Sequence, residues 1–138
     1  MTTEEYLRAR KRKDWNFNRI VPEESFNQVS RIHPLKQRQV ADVVAAARDD
    51  DYVRRIIIFG SASRYDCDIT SDLDICIDWN EDCYDAEGVL KPFTGHMRKC
   101  ISDITQGDAD VVNFQYLDST DIKDSVEEGV VVYEQHHV

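Results

Sequence analysis

Apolar residues recur along this chain with two different periods, and each change of period marks a predicted element. After Pro34 the spacing is helical, which predicts a helix that is broken by the acidic run at 49–51. Its apolar positions are Leu35, Val40, Val43, Val44 and Ala47. The β-branched run within 53–59 predicts a buried strand. Residues 72–78 alternate acidic and apolar side chains, which predicts a second strand with one apolar face.

The second half of the chain continues this mixture of helices and strands. We expect an exposed acidic loop over 80–88, an amphipathic helix over 92–105 and a third strand over 110–117. A capped helix through Glu128 and a last strand over 130–133 follow. The pattern predicts an α/β fold, in which one domain holds a small mixed sheet flanked by helices. We place that domain at 35–138, after a helical or loop extension over 1–34.

Length and composition limit the class of protein. A chain of 138 residues, 41% of them hydrophobic, is sufficient for one globular domain. It contains no apolar run near the ~20 residues of a membrane helix, and its first residues do not resemble a secretory signal. The four cysteines form no C-x-x-C pair, which indicates reduced thiols and favours a cytoplasmic location.

Charge narrows the choice of partners. The chain carries 17 basic and 27 acidic side chains, a net charge of −10, which argues against a nucleic-acid surface as partner. Most of the acidic excess lies after residue 40, because residues 1–40 are net basic. A polyanionic substrate would therefore need a metal ion in order to approach the acidic part.

The pair Asp72 and Asp74 is the first candidate for chemistry. Four Asp-x-Asp pairs occur, and most of them follow from the abundance of aspartate. The 72/74 pair differs because it lies on a predicted strand, where positions i and i+2 share one face. Adjacent carboxylates repel unless a cation lies between them, and oxygen ligands suit Mg²⁺ or Mn²⁺.

Gly60-Ser61 is the second candidate, since it ends the predicted buried strand. Glycine lets the backbone approach a phosphate closely, and the following N–H groups and the serine hydroxyl can donate to it. A helix beginning over 62–65 would add partial positive charge, and Arg64 could neutralise a phosphate oxygen. An ordinary strand-to-helix turn is the alternative for this dipeptide alone.

Together these residues resemble a known family. Gly60-Ser61, nine residues and then Ser71-Asp72-Leu73-Asp74 are similar to the nucleotidyltransferase superfamily related to DNA polymerase β. In particular they resemble the minimal nucleotidyltransferases of bacteria and archaea, which are often antitoxin partners of HEPN-domain toxins. The resemblance covers about 35–134. It implies a third carboxylate, for which Asp110 is the best match and Asp108 the local alternative.

The resemblance implies transfer of a nucleoside monophosphate from an NTP such as ATP to an acceptor hydroxyl, with release of pyrophosphate. It implies two Mg²⁺ or Mn²⁺ ions. The implied catalytic and metal-binding residues are Asp72, Asp74 and Asp110. The implied nucleotide-binding residues are Gly60, Ser61, Arg64 and Ser71. One departure stands out: family members commonly have Arg-Gly in this turn, whereas this chain has Arg64-Tyr65, and a tyrosine resists a positive φ.

The length leaves no room for a further acceptor-binding domain, so we expect the acceptor on another protein, such as a HEPN-like toxin. The leading hypothesis is an antitoxin-like enzyme that transfers AMP. A catalytically inactive module that acts by contact and a small-molecule nucleotidyltransferase are the alternatives, and the oligomeric state stays open. The basic N-terminal segment, with Trp15 and Phe17, either docks a partner or packs on its own domain.

Overall fold

The computed structural model describes residues 16–65, 67–83, 85–87, 95–117 and 119–135. The strands are β1 (Val53–Phe59), β2 (Leu73–Trp79), β3 (Ala109–Asn113) and β4 (Val130–Glu134). The helices are α1 (Pro34–Arg48), α2 (Gly95–Thr105) and α3 (Thr120–Glu127). The strands form one sheet in the order β3-β2-β1-β4, with β1 antiparallel to both neighbours and β2 parallel to β3. The predicted α/β class with a mixed sheet is confirmed.

The main core lies between one face of the sheet and the helices α1 and α2. It contains Val40, Val43, Ile56, Ile58, Ile75 and Met97. The segment over 16–33 adds Phe26, Val29 and Ile32 to this core, so residues before the predicted boundary at 34 pack with those after it. The boundary itself stays a prediction.

The opposite face of the sheet carries a smaller apolar cluster. Its buried members are Ile57, Phe59, Cys76 and Val126, the last of which comes from α3. Because the cluster covers only part of this face, the end of β2 that begins at Leu73 is left with its acidic side chains next to solvent. This end of the sheet is where the candidate site lies.

The expected single apolar face of β2 is wrong, because the strand is buried on both faces over most of its length. Cys76 and Asp78, on the face predicted to be polar, are both 0% exposed. The carboxylate of Asp78 is satisfied by Arg54 at 2.8 Å, Arg55 at 2.7 Å and the side-chain amide of Gln115 at 2.8 Å. The fold tolerates the buried Asp78 carboxylate because two arginines and an amide pair with it.

Two further expectations are corrected. The third strand ends at Asn113 instead of 117, because a 3₁₀ turn over Phe114–Tyr116 brings Gln115 back to Asp78 and to the carbonyl of Trp79. The loop over 80–88 is not exposed throughout, since Cys83 is buried with its thiol 3.5 Å from the Tyr52 carbonyl. Some expectations fall outside the described residues: the first 15 residues of the predicted extension, which include Trp15, and the residues 88–94.

All four cysteines are free thiols, as the sequence predicts. None of the helices in the described part of the chain combines the length and the apolar character that crossing a bilayer requires.

Candidate active site

The turn that follows β1 brings the backbone against a carboxylate. Gly60 has a φ of +70° and opens a 3₁₀ turn over Gly60–Ser63, in which the Ser63 hydroxyl donates to the Gly60 carbonyl at 2.9 Å. A Cβ atom at position 60 would overlap Oδ2 of Asp74. Glycine is therefore required twice, once for the left-handed backbone and once for the close approach.

The helix considered over 62–65 does not form. The residue after the 3₁₀ turn, Arg64, is extended, with φ −133° and ψ 163°. The Ala62 carbonyl, which a continuing helix would use, instead accepts from the His33 N–H at 2.7 Å. No helix dipole contributes at this turn, and its donors are limited to backbone N–H groups and hydroxyls.

The predicted carboxylates meet at the start of β2. Asp74 lies opposite Phe59 of β1 and opposite Asp110 of β3, while Asp72 comes one residue before the strand. Asp74 is half-buried, whereas Asp72 and Asp110 are exposed. Asp108 lies outside β3, and its carbonyl accepts from the Leu73 N–H at 3.0 Å. The register therefore pairs Asp110, and not Asp108, with Asp74.

The electrostatics join these groups into one unit. Burial raises the pKa of Asp74 above its ordinary value, and the charges of Asp110 and Asp72 raise it further. The Arg64 guanidinium acts in the opposite direction and lowers it. Positive charge near Asp74 therefore favours its ionised form. Arg64 supplies part of that positive charge.

The two serines predicted to bind nucleotide meet at a different group, the Cys67 thiol. Burial raises the pKa of Cys67, and hydrogen bonding to the hydroxyls of Ser71 and Ser61 partly offsets the rise. The Ser71 hydroxyl also accepts from the Asp68 N–H at 3.0 Å. Ser61 and Ser71 thus lie together beside the Gly60 turn, and Ser71 is partly engaged by its own loop.

The family model described as polymerase beta, nucleotidyltransferase matches residues 42–137. That match covers more than half of the chain. The chain belongs to this family. All four strands, the Gly60 turn and the three carboxylates lie inside the matched range. No curated protein is significantly similar to the chain in sequence. The predicted superfamily is confirmed, whereas the minimal subclass and the toxin partner remain predictions.

Nucleotidyltransferases of this superfamily generally use a divalent metal with an NTP. Within the described residues, no three His, Cys, Asp or Glu side chains already lie close enough to hold one ion. The donor chemistry nevertheless fits, because Asp72, Asp74 and Asp110 offer only carboxylate oxygens, and their repulsion falls when a cation binds. The exposed carboxylates of Asp72 and Asp110 have room to rotate toward Asp74. These three residues would hold the metal.

Tyr65, which departs from the glycine common in the family, adopts no strained backbone. Among the described non-glycine residues, only Gln28 and Gln106 have a positive φ. The Tyr65 ring lies 4.7 Å from the Phe17 ring, and its hydroxyl donates to the Asn16 carbonyl at 3.3 Å. The side chain therefore extends the aromatic packing of the N-terminal segment, and the turn has no left-handed position at 65 that needs a glycine.

Sequence reasoning missed two polar residues on the buried side of α1. Lys36 is 6% exposed and Gln37 is 0% exposed. Gln37 holds the N-terminal segment, because its amide donates to the Asn18 and Ile32 carbonyls and accepts from the Ile20 N–H. Both residues lie three or four positions before Val40, on the apolar stripe of the helix. Their position on that stripe is the sequence signal that predicts their burial.

Proposed function

We propose that this nucleotidyltransferase transfers AMP from ATP to a hydroxyl group on another protein, as an antitoxin-like enzyme. The observation that carries the proposal is the pairing of Asp74 with Asp110 directly beside the Gly60 turn. Nucleotidyl transfer uses carboxylates that hold a metal ion and backbone N–H groups that hold phosphate, and the carboxylate pair and the Gly60 turn offer these two groups. The exposure of Asp72 and Asp110 supports a macromolecular acceptor, since a side chain of another protein can reach them from solvent.

Each residue has a defined task in this proposal. Asp110 accepts the proton of the acceptor hydroxyl, whose oxygen attacks the α-phosphorus while the bond to the β-phosphate breaks and pyrophosphate leaves. The N–H groups after Gly60 and the Ser61 hydroxyl hold the phosphate tail. Divalent ions held by Asp72, Asp74 and Asp110 would neutralise charge on the phosphates and acidify the hydroxyl.

The test uses ATP labelled at the α-phosphate, incubated with the protein, Mg²⁺ and a helical HEPN-like protein as the candidate acceptor. We expect label on a Tyr, Ser or Thr hydroxyl of this candidate acceptor and loss of labelling in the Asp74→Asn variant. Asp108→Asn is the matched control, because it removes an acidic side chain outside the carboxylate pair. Labelling confined to small molecules would contradict the protein acceptor. ATP binding without any transfer would favour a module that acts by contact.

A further inference from the structure

Lys36, on the first turn of α1, has a buried side chain for which the described residues give no ion pair. Only 6% of the residue is exposed. The ion pairs given by the described residues join Arg19 to Glu23 and two arginines to Asp78, and none of them reaches Lys36. The ammonium at the end of the side chain still has contact with solvent. Lysine commonly buries its hydrocarbon stem and keeps the charged head at the surface, so an anion can reach this ammonium from solvent.

The backbone fixes Lys36 against the Gly60–Ser63 turn. The His33 N–H donates to the Ala62 carbonyl at 2.7 Å, which ties the start of α1 to that turn, and the Lys36 N–H donates to His33 at 2.9 Å. The Lys36 charge lowers the pKa of the Cys67 thiol, which is the group that Ser61 and Ser71 also contact. The charge of Lys36 and the two serine hydroxyls therefore act on one thiol, and the backbone contacts place the start of α1 against the glycine turn.

Lys36 is also the cation best placed to act there. Burial and the charge of Lys36 both lower the pKa of His33 below 6.5, so its imidazole is neutral at pH 7. The Arg64 guanidinium acts on Asp74 and therefore belongs to the carboxylate side. Lys36 thus supplies positive charge beside Ser61 and Ser71, whose hydroxyls are neutral donors.

We propose that Lys36 binds the terminal phosphates of the nucleotide, together with Ser61, and so makes the protein selective for triphosphates. This inference rests on the proposed function, and it adds a residue outside the matched range 42–137 to the nucleotide site. A Lys ammonium acts on phosphate as a point charge, so it strengthens binding in proportion to the negative charge of the tail.

The test compares Lys36→Met and Lys36→Gln with Lys99→Met, which removes an exposed lysine of α2. Calorimetry with Mg²⁺ measures the affinity of each variant for ATP, AMP and tripolyphosphate. We expect both Lys36 variants to bind ATP and tripolyphosphate about 10- to 100-fold more weakly, which is the loss expected of a charge-assisted hydrogen bond. Their affinity for AMP, and every affinity of Lys99→Met, should stay unchanged.

Thermal melting separates binding from a structural role. Without ligand, the Lys36→Met variant should melt close to the temperature of the wild type, because methionine keeps an apolar stem in the buried position and none of the ion pairs of the described residues is lost. Unchanged ATP affinity, or an equal loss for AMP and ATP with a lower melting temperature, would overturn the inference. Wild-type protein that binds tripolyphosphate through Lys36 but transfers no nucleotide would overturn only the proposed function.

Discussion

At Asp74, burial and two neighbouring carboxylates oppose ionisation, and this sets a pH dependence. Because its pKa in the folded protein lies above the ordinary 3.8, the contribution of Asp74 to stability is complete below that pH. The contribution is lost as the pH rises through the folded-state pKa. At neutral pH, therefore, the ionised side chain weakens the fold until a cation is bound.

We predict that Asp74→Asn melts at a higher temperature than the wild type at pH 7 in EDTA, and that the difference shrinks as the pH falls toward 3.8. Added Mg²⁺ should stabilise the wild type and leave the variant unchanged. Scanning calorimetry at several pH values measures both effects, with Asp108→Asn as the control. A variant that melts below the wild type at pH 7 would contradict the electrostatic argument.

Gly60 meets the same carboxylate from the other side. We predict that Gly60→Ala destabilises the fold by at least about 1–2 kcal/mol, the cost of a left-handed backbone for a residue with a Cβ. Displacement of the Asp74 carboxylate adds to this cost. Urea denaturation of Gly60→Ala and Gly95→Ala tests it, because nothing lies within 4 Å of a Cβ at position 95. Equal stability of the two variants would show that the turn can relax.

At the scale of elements, the parallel pairing of β2 with β3 decides which aspartate lies opposite Asp74. The register that sets Leu73 opposite Ala109 and Asp74 opposite Asp110 leaves Asp108 before the strand, where only its carbonyl has a role. A shift of the register by one residue would turn the side chain of Asp110 to the opposite face. The choice between the two aspartates is therefore a property of strand pairing.

We predict that Asp110→Ala loses nucleotidyl transfer by a factor of about 10² or more, which is typical for loss of a positioned base, yet retains most of its affinity for ATP. Asp108→Ala should behave nearly as the wild type, since the alanine keeps the carbonyl that Leu73 uses. Turnover with labelled ATP and calorimetric affinity, measured on both variants, give the comparison. The reverse ranking would assign the third carboxylate to Asp108.

At the scale of the whole molecule, the described residues before α1, 16–33, pack against the rest of the protein. Phe17 is 9% exposed, with its ring 5.2 Å from His33 and 4.7 Å from Tyr65. Its N–H donates to the Ser30 carbonyl at 2.7 Å. Of the two aromatic residues considered for docking a partner, Phe17 is thus committed to its own domain, while Trp15 lies outside the described residues.

We predict that Phe17→Ala lowers the free energy of unfolding by about 3 kcal/mol, the lower end for a buried phenylalanine. Ile20→Ala is the control and should change it by less than about 0.5 kcal/mol, because Ile20 is 50% exposed and pairs with Gln37 through its backbone. Chemical denaturation measures both. A stable Phe17→Ala variant that loses binding to its partner would restore the docking hypothesis.

The sequence by itself determined the elements and the first part of the site. The periods of apolar residues are local properties, so the pattern predicted α1, β1 and the closing strand close to their observed bounds. Gly60-Ser61 and the pair 72/74 also lie within short stretches, and their chemistry follows from residue type. Such features need no knowledge of which segments meet.

Only the tertiary structure decided the features that depend on distant contacts. The end of β3, the burial of Asp78 and the packing of Tyr65 on Phe17 join segments that are about 20 to 50 residues apart. The same holds for Asp110 beside Asp74 and for Lys36 beside the Gly60 turn. Strand register and helix docking are set by packing over the whole core, and the local spacing of apolar residues does not show which distant segments pack together.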